Sequence, residues 1–433
     1  MYALGVDIGT TSIAVARVDV VSGEIRKLAS FSTPTLPSDA ADEHMQDAAA
    51  IVRTVKEVTD ALDPTELCAI GVSGQMHGIV YLDASGTVCS PLYTWQDRRG
   101  ERAGADGIPF TEALGVSAGY GHATHAANRA AGLVPQEAIG YATIADAVVA
   151  SLCGLRAPVL HASQAASLGC FDIDRSRFTA RLCETLGEAY PYAVVGGYHI
   201  AGEYRGIPVA VAIGDNQASF LGSGCGEGEV LINIGTGSQI SMLSDRRAES
   251  AAVETRPGFE GKYLHVGAAL CGGRAYALLH SFFCDVVEMA TGKRPDSLYV
   301  AMARYQHGAA DASLRFDNAF CGSRTEPGRR ASIRGLGCDN FTPQQFCIGL
   351  LEGMIDELAS LYSDMGCYAT RLVGAGNALR YNPLLQTLCE KRFGAPLYLT
   401  DGYEEAAVGA ALFALISSGR MPDAAAARAL LRA

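Results

Sequence analysis

Two stretches half a chain apart decide the fold: LGVDIGTTS at residues 4–12 and VLINIGTGS at residues 230–238. Each consists of an apolar run, a polar residue (Asp7 or Asn233), and a turn of glycine and small hydroxylated residues. A second alternating segment follows each turn, so each stretch is predicted to form a β-hairpin closed by a glycine turn. A hairpin repeated at this spacing indicates two similar domains. Chance similarity over so few residues is the alternative.

The length of the chain supports the same division. A chain of 433 residues is too long for a single hydrophobic core, so two domains are expected. The glycine-rich stretch at residues 222–229 contains the predicted boundary, which gives one domain at residues 1–224 and a second at residues 225–433. The formal net charge of −12 argues against nucleic acid or an anionic membrane surface as the partner, because both repel an acidic protein.

The cysteines and the N-terminal segment indicate a cytoplasmic protein with no membrane partner. The 13 cysteines are scattered singly, without CxxC spacing. This pattern is typical of buried, reduced thiols and not of a disulfide framework or a zinc site. Asp7 interrupts the first apolar run, so that run is predicted to be a strand and not a signal peptide. The sequence does not decide the oligomeric state, and a homodimer stays open.

Between and after the hairpins, apolar strands alternate with helical patterns, which predicts α/β layers. Three buried strands, each running into a glycine turn, lie within residues 68–74, 207–219 and 370–378. In open α/β sheets, ligands bind at the carboxyl ends of strands, so these three turns are candidate sites. Apolar spacing and capping residues predict helices at residues 43–62, 343–366 and 404–419.

The two hairpin turns are candidate phosphate sites, because their backbone amides and hydroxyls can hold phosphate oxygens without a lysine side chain. Asp7, just before the first turn, is placed to hold a hydrated Mg²⁺ that bridges phosphates. The alternative is that both are ordinary hairpin turns. The predicted phosphate-binding residues are Thr10, Thr11, Ser12, Gly235, Thr236 and Gly237.

Asp215 is the sharpest candidate for a catalytic group. It follows the apolar strand VAVAIG, at a position where a carboxylate can reach a ligand. In phosphoryl transfer the protein mainly positions groups and stabilises charge, while a carboxylate takes the proton from the attacking hydroxyl. The alternative is a helix N-cap, which is a common role for aspartate in front of a helix.

Two further groups of residues are candidates for sugar and nucleotide binding. Polar and aromatic side chains that suit a polyhydroxylated ligand are Gln75, Met76, His77, Trp95, Asp97 and Asn216. A lone histidine is more often structural, which is the alternative for His77. Small residues that let a flat base lie against the backbone, followed by a polar side chain, are Gly374, Ala375, Gly376 and Asn382.

Taken in order, these segments resemble the FGGY family of carbohydrate kinases, within the actin-like ATPase superfamily. DIGTTS and NIGTGSQ resemble the family's two phosphate motifs, IGDNQAS resembles the segment that carries its catalytic aspartate, and LVGAGNALRYNPLL resembles its adenosine segment. The resemblance implies an α/β fold of two ribonuclease-H-like domains with a deep cleft between them. It also implies that the N-terminal domain binds the sugar, that the C-terminal domain binds ATP, and that Mg²⁺ is required.

Within the family, SGQMHG, TWQDRR and CGGRAYALLHSF are most similar to members that phosphorylate sedoheptulose. The resemblance therefore implies conversion of sedoheptulose to sedoheptulose 7-phosphate, with Asp215 as the general base. A xylulose- or ribulose-type kinase of the same family is the alternative. The second alternative is a non-catalytic, nucleotide-binding, actin-like scaffold. Two departures from the family pattern stand out: HATHAANRAAG at residues 122–132, and Cys271 where asparagine is commoner.

Overall fold

The structure is a computed structural model that describes residues 1–304, 313–323, 326, 328–366, 368–402 and 404–432. The strands are β1 Tyr2–Ile8, β2 Ser12–Asp19, β3 Ile25–Ser32, β4 Thr35–Leu36, β5 Met45–Gln46, β6 Leu67–Gly74, β7 Val80–Asp83, β8 Leu92–Tyr93, β9 Ala138–Ala142, β10 Leu160–His161, β11 Phe171–Asp172, β12 Arg177–Phe178, β13 Val194–Val195, β14 Ile200–Tyr204, β15 Ile207–Ala210, β16 Ile213–Gly214, β17 Glu229–Ile234, β18 Ser238–Ser244, β19 Val253–Pro257, β20 Tyr263–Ala269, β21 Arg315–Asp317, β22 Ser332–Arg334, β23 Arg371–Ala375 and β24 Leu397–Leu399. The helices are α1 Ala48–Asp60, α2 Phe110–Leu114, α3 Gly121–Ala130, α4 Ile144–Cys153, α5 Ala162–Leu168, α6 Ala180–Leu186, α7 Asp215–Gly222, α8 Gly273–Thr291, α9 Tyr299–Arg304, α10 Pro343–Asp364, α11 Asn377–Tyr381, α12 Pro383–Phe393, α13 Glu405–Ser417 and α14 Ala424–Leu431. None of these helices is long and apolar enough to cross a lipid bilayer.

The chain divides into two compact units, and the first is built on a sheet of mixed direction. This unit comprises Met1–Gly224, Arg256–Gly261 and the described residues after position 403. The strand order of its main sheet is β14-β15-β6-β1-β2-β3, with β16 also pairing with β6. Strands β1, β2 and β3 are antiparallel neighbours, whereas β6 runs parallel to β1. The predicted hairpin over residues 4–20 is therefore confirmed.

The register of this sheet brings the candidate carboxylates to one edge. Asp7 on β1 pairs with Ser73 on β6, and Ser73 pairs in turn with Ile213 on β16. These pairings are parallel, so the carboxyl ends of the three strands lie together. Helix α7 begins at Asp215, directly after β16. The fold thereby places Asp215 at the same edge of the sheet as Asp7.

Helix α13 packs directly on this sheet. A Cβ atom added to Gly5 on β1 would lie 1.8 Å from the carbonyl oxygen of Ala407, and one added to Gly71 on β6 would lie 1.8 Å from that of Ala410. The strand therefore has no room for a side chain at either position. The sequence prediction assigned residues 403–433 to the second domain, whereas the described part of that segment belongs to the first unit. Helix α13, which is rich in alanine and glycine, can pack closely on β1 and β6 because these strands also carry glycine at the points of contact.

The second unit repeats the sheet design of the first. It comprises Cys225–Thr255 and the described residues of Lys262–Gly402, and the sheet order is β19-β20-β18-β17-β23-β24. Strands β17 and β18 form an antiparallel hairpin, β20 continues it, and β23 pairs with β17 in parallel. This is the arrangement of β1, β2, β3 and β6, so the second predicted hairpin is confirmed, as are the two ribonuclease-H-like halves.

Local capping explains where the predicted helices begin. Helix α1 starts at Ala48 because the Asp47 side chain accepts a hydrogen bond from Ala50 N at 2.9 Å, five residues later than the predicted start at residue 43. The residues just before it form β5, which pairs with β4 and β8. Helix α10 begins at Pro343 after Thr342, whose hydroxyl accepts from Gln345 N, as the capping pattern predicts.

Candidate active site

Asp7 lies near two other acidic side chains of the first unit, Asp215 and Glu404. Its Oδ1 accepts a hydrogen bond of 2.8 Å from the Ser73 hydroxyl on the neighbouring strand. Burial, together with the negative charges of Asp215 and Glu404, raises the pKa of Asp7 to about 7, although the Ser73 hydrogen bond acts in the opposite direction. Carboxylates that raise one another's pKa favour a nearby cation. Asp7 therefore has the electrostatic surroundings of a magnesium ligand.

Asp215 lies at the first position of α7, and its carboxylate does not cap the helix. Gly214 is the capping residue, and it makes no side-chain capping bond. The capping role considered from the sequence is therefore not the one this carboxylate has in the structure. Asp215 Oδ1 accepts instead from Asn216 Nδ2 at 2.7 Å. The carboxylate is held in one orientation by its neighbour along the chain.

Arg256 on β19 supplies a positive charge beside Asp215. Burial raises the pKa of Asp215, whereas the Asn216 hydrogen bond and the charge of Arg256 lower it. Burial in turn lowers the pKa of Arg256, while Tyr120 and Asp215 raise it. The sequence analysis missed Arg256 and Tyr120, because nothing in the spacing of either residue connects it with Asp215.

His77 and Met76 line the same region of the first unit. Nη1 of Arg256 lies 3.2 Å from Met76 Sδ, and Asn216 Nδ2 lies 3.8 Å from that sulfur. The His77 ring packs against Tyr120 with ring centroids 4.2 Å apart, and its Nδ1 lies 2.8 Å from the backbone oxygen of Ser167. His77 has a φ of 75°, the left-handed conformation that non-glycine residues rarely adopt and that is frequent at functional sites.

Gln75 and Trp95 lie beside the first hairpin turn. Trp95 Nε1 donates to the Thr10 hydroxyl at 2.8 Å. Gln75 Nε2 donates to Gln46 Oε1 at 2.9 Å, and Gln46 Nε2 donates to the Thr10 backbone oxygen at 2.7 Å. The buried Oε1 of Gln75 has no hydrogen-bond partner among the described residues. A buried acceptor of this kind is costly unless a ligand hydroxyl or water satisfies it.

Thr11 and Ser12 form the rest of this turn, which Gly9 closes by donating to the Ser12 backbone oxygen at 2.9 Å. Asp97 has a different environment. Its two carboxylate oxygens accept from Nε and Nη2 of Arg99 at 2.7 and 2.9 Å, and one of them also accepts from His44 N. Both Asp97 and Arg99 are fully buried. The structure therefore gives Asp97 an ion pair that fills its hydrogen-bonding capacity.

In the second unit, the predicted phosphate turn lies against the start of α8. Gly273 N donates to the Gly235 backbone oxygen at 2.8 Å, and Gly272 N donates to that of Thr236 at 3.1 Å. A Cβ added to Gly272 would lie 2.4 Å from the Gly237 carbonyl carbon, so these two turns have no room between them. An added Cβ on Gly235 would meet no atom within 4 Å. The turn therefore packs closely against the start of α8 on one side, and space is free next to Gly235.

A cavity of about 640 Å³ in the second unit lies next to this turn. Its size suits a nucleoside. Asn382, a candidate nucleotide-binding residue from the sequence, lines this cavity, and its side chain also caps α12 by accepting from Leu385 N at 3.1 Å. The other polar and aromatic lining residues include Tyr276, Tyr299, Asn377, Tyr381 and Thr387. The sequence analysis had missed these, since tyrosine at helical spacing carries no distinctive signal.

The glycine-rich segment at the end of β23 shapes the cavity without lining it. A Cβ on Gly374 would meet leucine side chains at 2.8 to 3.0 Å, and Ala375 is buried. Gly376 has a φ of 89°, and a Cβ there would lie 2.4 Å from the Ile234 backbone oxygen. None of these three is among the described lining residues. They bring β23 close to β17 and turn the chain into α11.

The Asp7 carboxylate is a suitable ligand for a magnesium ion that is bound together with a nucleotide. No group of three or more His, Cys, Asp or Glu side chains suited to a metal occurs among the residues that the structure describes. Such a group would be expected for a metal held by protein ligands alone. Mg²⁺ usually takes one or two carboxylates and completes its shell with water and phosphate oxygens, which Asp7 could support.

Comparison with solved structures identifies the fold. The fold is similar to that of gluconate kinase from Lactobacillus acidophilus, with a TM-score of 0.85 at 18% identity, covering 99% of this chain and 92% of that one. It is also similar to xylulose kinase from the same organism, with a TM-score of 0.84 at 18% identity and the same coverage. At this identity the likeness shows the fold alone, which this chain shares with both kinases.

Sequence comparison identifies the family. Residues 2–105 match the N-terminal domain of the FGGY family of carbohydrate kinases, and residues 230–418 match its C-terminal domain. The chain belongs to the FGGY family and is an ATP-dependent sugar kinase. It is 29% identical to the sedoheptulokinase of Homo sapiens and 27% identical to that of Mus musculus, with 95% of this chain and 97% of each relative covered.

Proposed function

We propose that this protein transfers phosphate from ATP to a ketose, converting sedoheptulose to sedoheptulose 7-phosphate, with Asp215 as the general base. One observation carries the proposal. The Asp215 carboxylate is half-buried at the end of a strand, takes no part in capping α7, and has the charge of Arg256 acting on it, with Met76 beside that arginine. A carboxylate in such surroundings is expected at a reaction site and not in a purely structural role.

Sugar binding is assigned to the first unit. The Asn216 amide contacts Asp215, Met76 contacts Asn216, and the His77 ring follows Met76 and packs against Tyr120. We propose that these side chains contact a polyhydroxylated chain with hydrogen bonds and one apolar wall. Gln75 offers a buried acceptor for a hydroxyl, and Trp95 lies at the first turn. Asp97 acts behind these residues, because its hydrogen bonds to Arg99 and His44 N position the Trp95 segment.

Proton removal is assigned to Asp215. The attacking primary hydroxyl loses its proton to the carboxylate as the phosphorus–oxygen bond forms, a step in which a positioned base contributes ~10²–10⁴-fold. Asn216 holds the orientation of the carboxylate. The charge of Arg256 opposes the rise in pKa that burial causes, so it favours the ionised form that can accept the proton.

Nucleotide binding is assigned to the second unit. Gly235 N already donates to the Gly237 backbone oxygen at 3.0 Å, so the amides of Thr236 and Gly237 are the ones proposed to hold phosphate oxygens. The cavity that contains Asn382 and Tyr276 suits the base and ribose. Gly374, Ala375 and Gly376 shape that cavity from behind. The hydroxyls of Thr10, Thr11 and Ser12 are the predicted donors of the first turn.

A magnesium ion would be held by Asp7 and by phosphate oxygens of the nucleotide. When bound, Mg²⁺ neutralises phosphate charge and so assists the in-line transfer. The protein contributes the hydrogen bond from the Ser73 hydroxyl, which fixes one carboxylate oxygen of Asp7. The neighbouring charges of Asp215 and Glu404 then make the ionised, cation-bound form of Asp7 more favourable than the ionised form alone.

The choice of sedoheptulose rests on the two mammalian sedoheptulokinases, which match over nearly the full length of both chains. A xylulose-type kinase is the second candidate, because the xylulose kinase of Escherichia coli is 32% identical over 103 residues. A non-catalytic scaffold is disfavoured, since it has no need for a carboxylate and sugar-binding side chains grouped in this way.

Replacement of Asp215 tests the proposed base. Asp215→Asn should lower kcat by about 10²-fold or more while leaving ATP affinity close to that of the wild type, measured by isothermal titration calorimetry. Asp39→Asn, which changes an exposed aspartate, is the matched control and should leave kcat unchanged. A folded Asp215→Asn protein that keeps more than about a tenth of the wild-type kcat would exclude the general-base role.

A further inference from the structure

Two cysteines that are far apart in sequence lie together in the second unit. Cys271 follows β20 and immediately precedes Gly272 and α8, and its side chain is buried. Cys321 lies in the loop after β21 and is exposed. The two thiols are close enough to hydrogen-bond each other, and both are free. The sequence analysis had taken the cysteines to be scattered singly, because a separation of 50 residues gives no sign of contact.

Exposure distinguishes the two thiols. The exposed Cys321 Sγ lies 3.6 Å from Arg274 Nη1, and the thiolate is the form of cysteine that attacks a peroxide. Burial raises the pKa of the Cys271 thiol to about 12, so this thiol stays protonated until a partner attacks or is attacked. An exposed reactive cysteine beside a second, resolving cysteine is the usual arrangement of an oxidisable pair.

We propose that Cys271 and Cys321 are a modification site at which a hydroperoxide forms a disulfide bond. The Cys321 thiolate attacks a peroxide oxygen, the oxygen–oxygen bond breaks, and an alcohol or water leaves, giving a sulfenic acid. The Cys271 sulfur then attacks the Cys321 sulfur, the sulfur–oxygen bond breaks, and water leaves with the Cys271 proton. Two thiols and one hydroperoxide thus give one disulfide, one alcohol and one water.

The position of Cys271 connects this bond with the predicted phosphate turn. The residue is followed by Gly272 and Gly273, whose amides donate to the backbone oxygens of Thr236 and Gly235. Arg274 N also donates to the Thr236 oxygen, at 3.0 Å. A disulfide requires the two sulfur atoms to approach to about 2.05 Å, which is well inside their non-bonded contact. The chain around Gly272 has no free space to absorb that movement.

Oxidation should therefore weaken ATP binding, a consequence that rests on the proposed phosphate-binding role of Gly235–Gly237. The Kd for ATP is expected to rise about tenfold, because displacement of positioning groups by ~1 Å can have effects of this order or larger. Dithiothreitol should reverse the change, since it reduces the disulfide and restores both thiols.

The test uses the full chain treated with hydrogen peroxide, followed by alkylation of free thiols and peptide mass spectrometry. The expected product is a Cys271–Cys321 linked peptide that dithiothreitol removes. Cys321→Ser should abolish both the linked peptide and the change in ATP affinity. Cys338→Ser, which alters another exposed cysteine, is the matched control and should abolish neither. Oxidation confined to other cysteines, with Cys271 and Cys321 still alkylated, would overturn the proposal.

Calorimetric titration of ATP separates this proposal from the proposed function. A linked peptide with an unchanged Kd for ATP would overturn the connection to the phosphate turn. A raised Kd in the oxidised protein supports that connection. Absence of sugar-dependent turnover in the reduced protein would contradict the kinase assignment alone, because neither the linked peptide nor the ATP titration depends on turnover.

Discussion

At the scale of single residues, the protonation of Asp215 depends on the positive charge of Arg256. A carboxylate removed from water favours its protonated form, which cannot act as a base. Arg256 counteracts this effect and is itself buried. A buried pair of this kind adds little to stability, whereas loss of one partner leaves an uncompensated charge. The pair is therefore better explained by its effect on the protonation of Asp215.

Replacement of Arg256 should change the pH dependence of the reaction. Arg256→Gln removes the charge that lowers the pKa of Asp215, so that pKa rises and the acidic limb of the kcat/KM profile moves to higher pH. Arg256→Lys keeps a positive charge and should leave the limb close to its wild-type position. The measurement is kcat/KM for the sugar from pH 5 to 9. If the two variants have the same acidic limb, the charge of Arg256 does not act on Asp215.

The environment of the Asp146 carboxylate predicts that the stability of the protein depends on pH. Its carboxylate lies inside α4, where one oxygen accepts from the Thr143 hydroxyl at 2.7 Å and the other has no partner among the described residues. Burial raises the pKa of Asp146 to about 8. The folded state therefore binds a proton that the unfolded state has released above pH ~4, so stability falls as pH rises from about 4 to about 8.

Asp146→Asn should remove this contribution. The thermal midpoint of the wild type is expected to decrease as the pH is raised from 5 to 8. Over this range Asp146 should lower the free energy of unfolding by about 1.4 kcal/mol per pH unit. The variant should have a shallower slope and be at least as stable as the wild type at pH 8.5. Equal slopes in circular-dichroism melts of both proteins would show that Asp146 is ionised in the folded state.

The residues that could be predicted from the sequence are those that follow a buried strand. Asp215, His77 and Asp7 each end an apolar run, so the alternation of the chain points to them. Arg256 and Tyr120 could not be predicted, because their proximity to Asp215 comes from pairing and packing between distant segments. Asp97 was predicted as a sugar contact from its residue type, and only the structure shows its ion pair with Arg99.

At the scale of elements, glycine decides how α13 packs on the first sheet. The backbone oxygen of Ala407 would lie 1.8 Å from a Cβ at Gly5, and the same distance separates the Ala410 oxygen from a Cβ at Gly71. Backbone atoms cannot move aside as a flexible side chain can. Close contact between helix and strand then excludes water over the whole length of the interface, as dense core packing requires.

Gly5→Ala should destabilise the first unit. Overpacking of a core costs roughly 1–3 kcal/mol, and a clash with backbone atoms is expected to reach the upper part of that range. Gly196→Ala is the matched control, because Gly196 is exposed and an added Cβ there meets no atom within 4 Å. Thermal melts of the two variants give the comparison. A Gly5→Ala midpoint equal to that of Gly196→Ala would contradict the close packing of α13.

The hairpins and capped helices were predictable because their signals are local. Turn glycines, the alternation of β1 and β2, and the Thr342 cap of α10 all act within a few residues. The assignment of α13 to the first unit was not predictable, since a helix that is apolar on every side fits many surfaces. The glycines at positions 5 and 71 allow it to pack on this sheet, and Gly222 and Gly409 allow the same close contact with α7.

At the scale of the whole molecule, the repeated sheet explains why one chain offers two kinds of site. Each unit places a hairpin turn and a parallel strand at the edge where ligands bind. The first unit adds Asp215, His77 and Arg256, whereas the second adds a cavity of about 640 Å³ lined by tyrosine and asparagine side chains.

The assay that addresses the central claim most directly measures ADP release from ATP with a panel of acceptors. Sedoheptulose, xylulose, ribulose, glycerol and gluconate would be compared under identical conditions, with the phosphorylated carbon of each product located by NMR spectroscopy. The account predicts that kcat/KM is highest for sedoheptulose, by about tenfold or more, and that the product is the 7-phosphate. A higher kcat/KM for another acceptor would contradict the assigned substrate, and ATP binding without release of ADP with any acceptor would contradict the assigned catalysis.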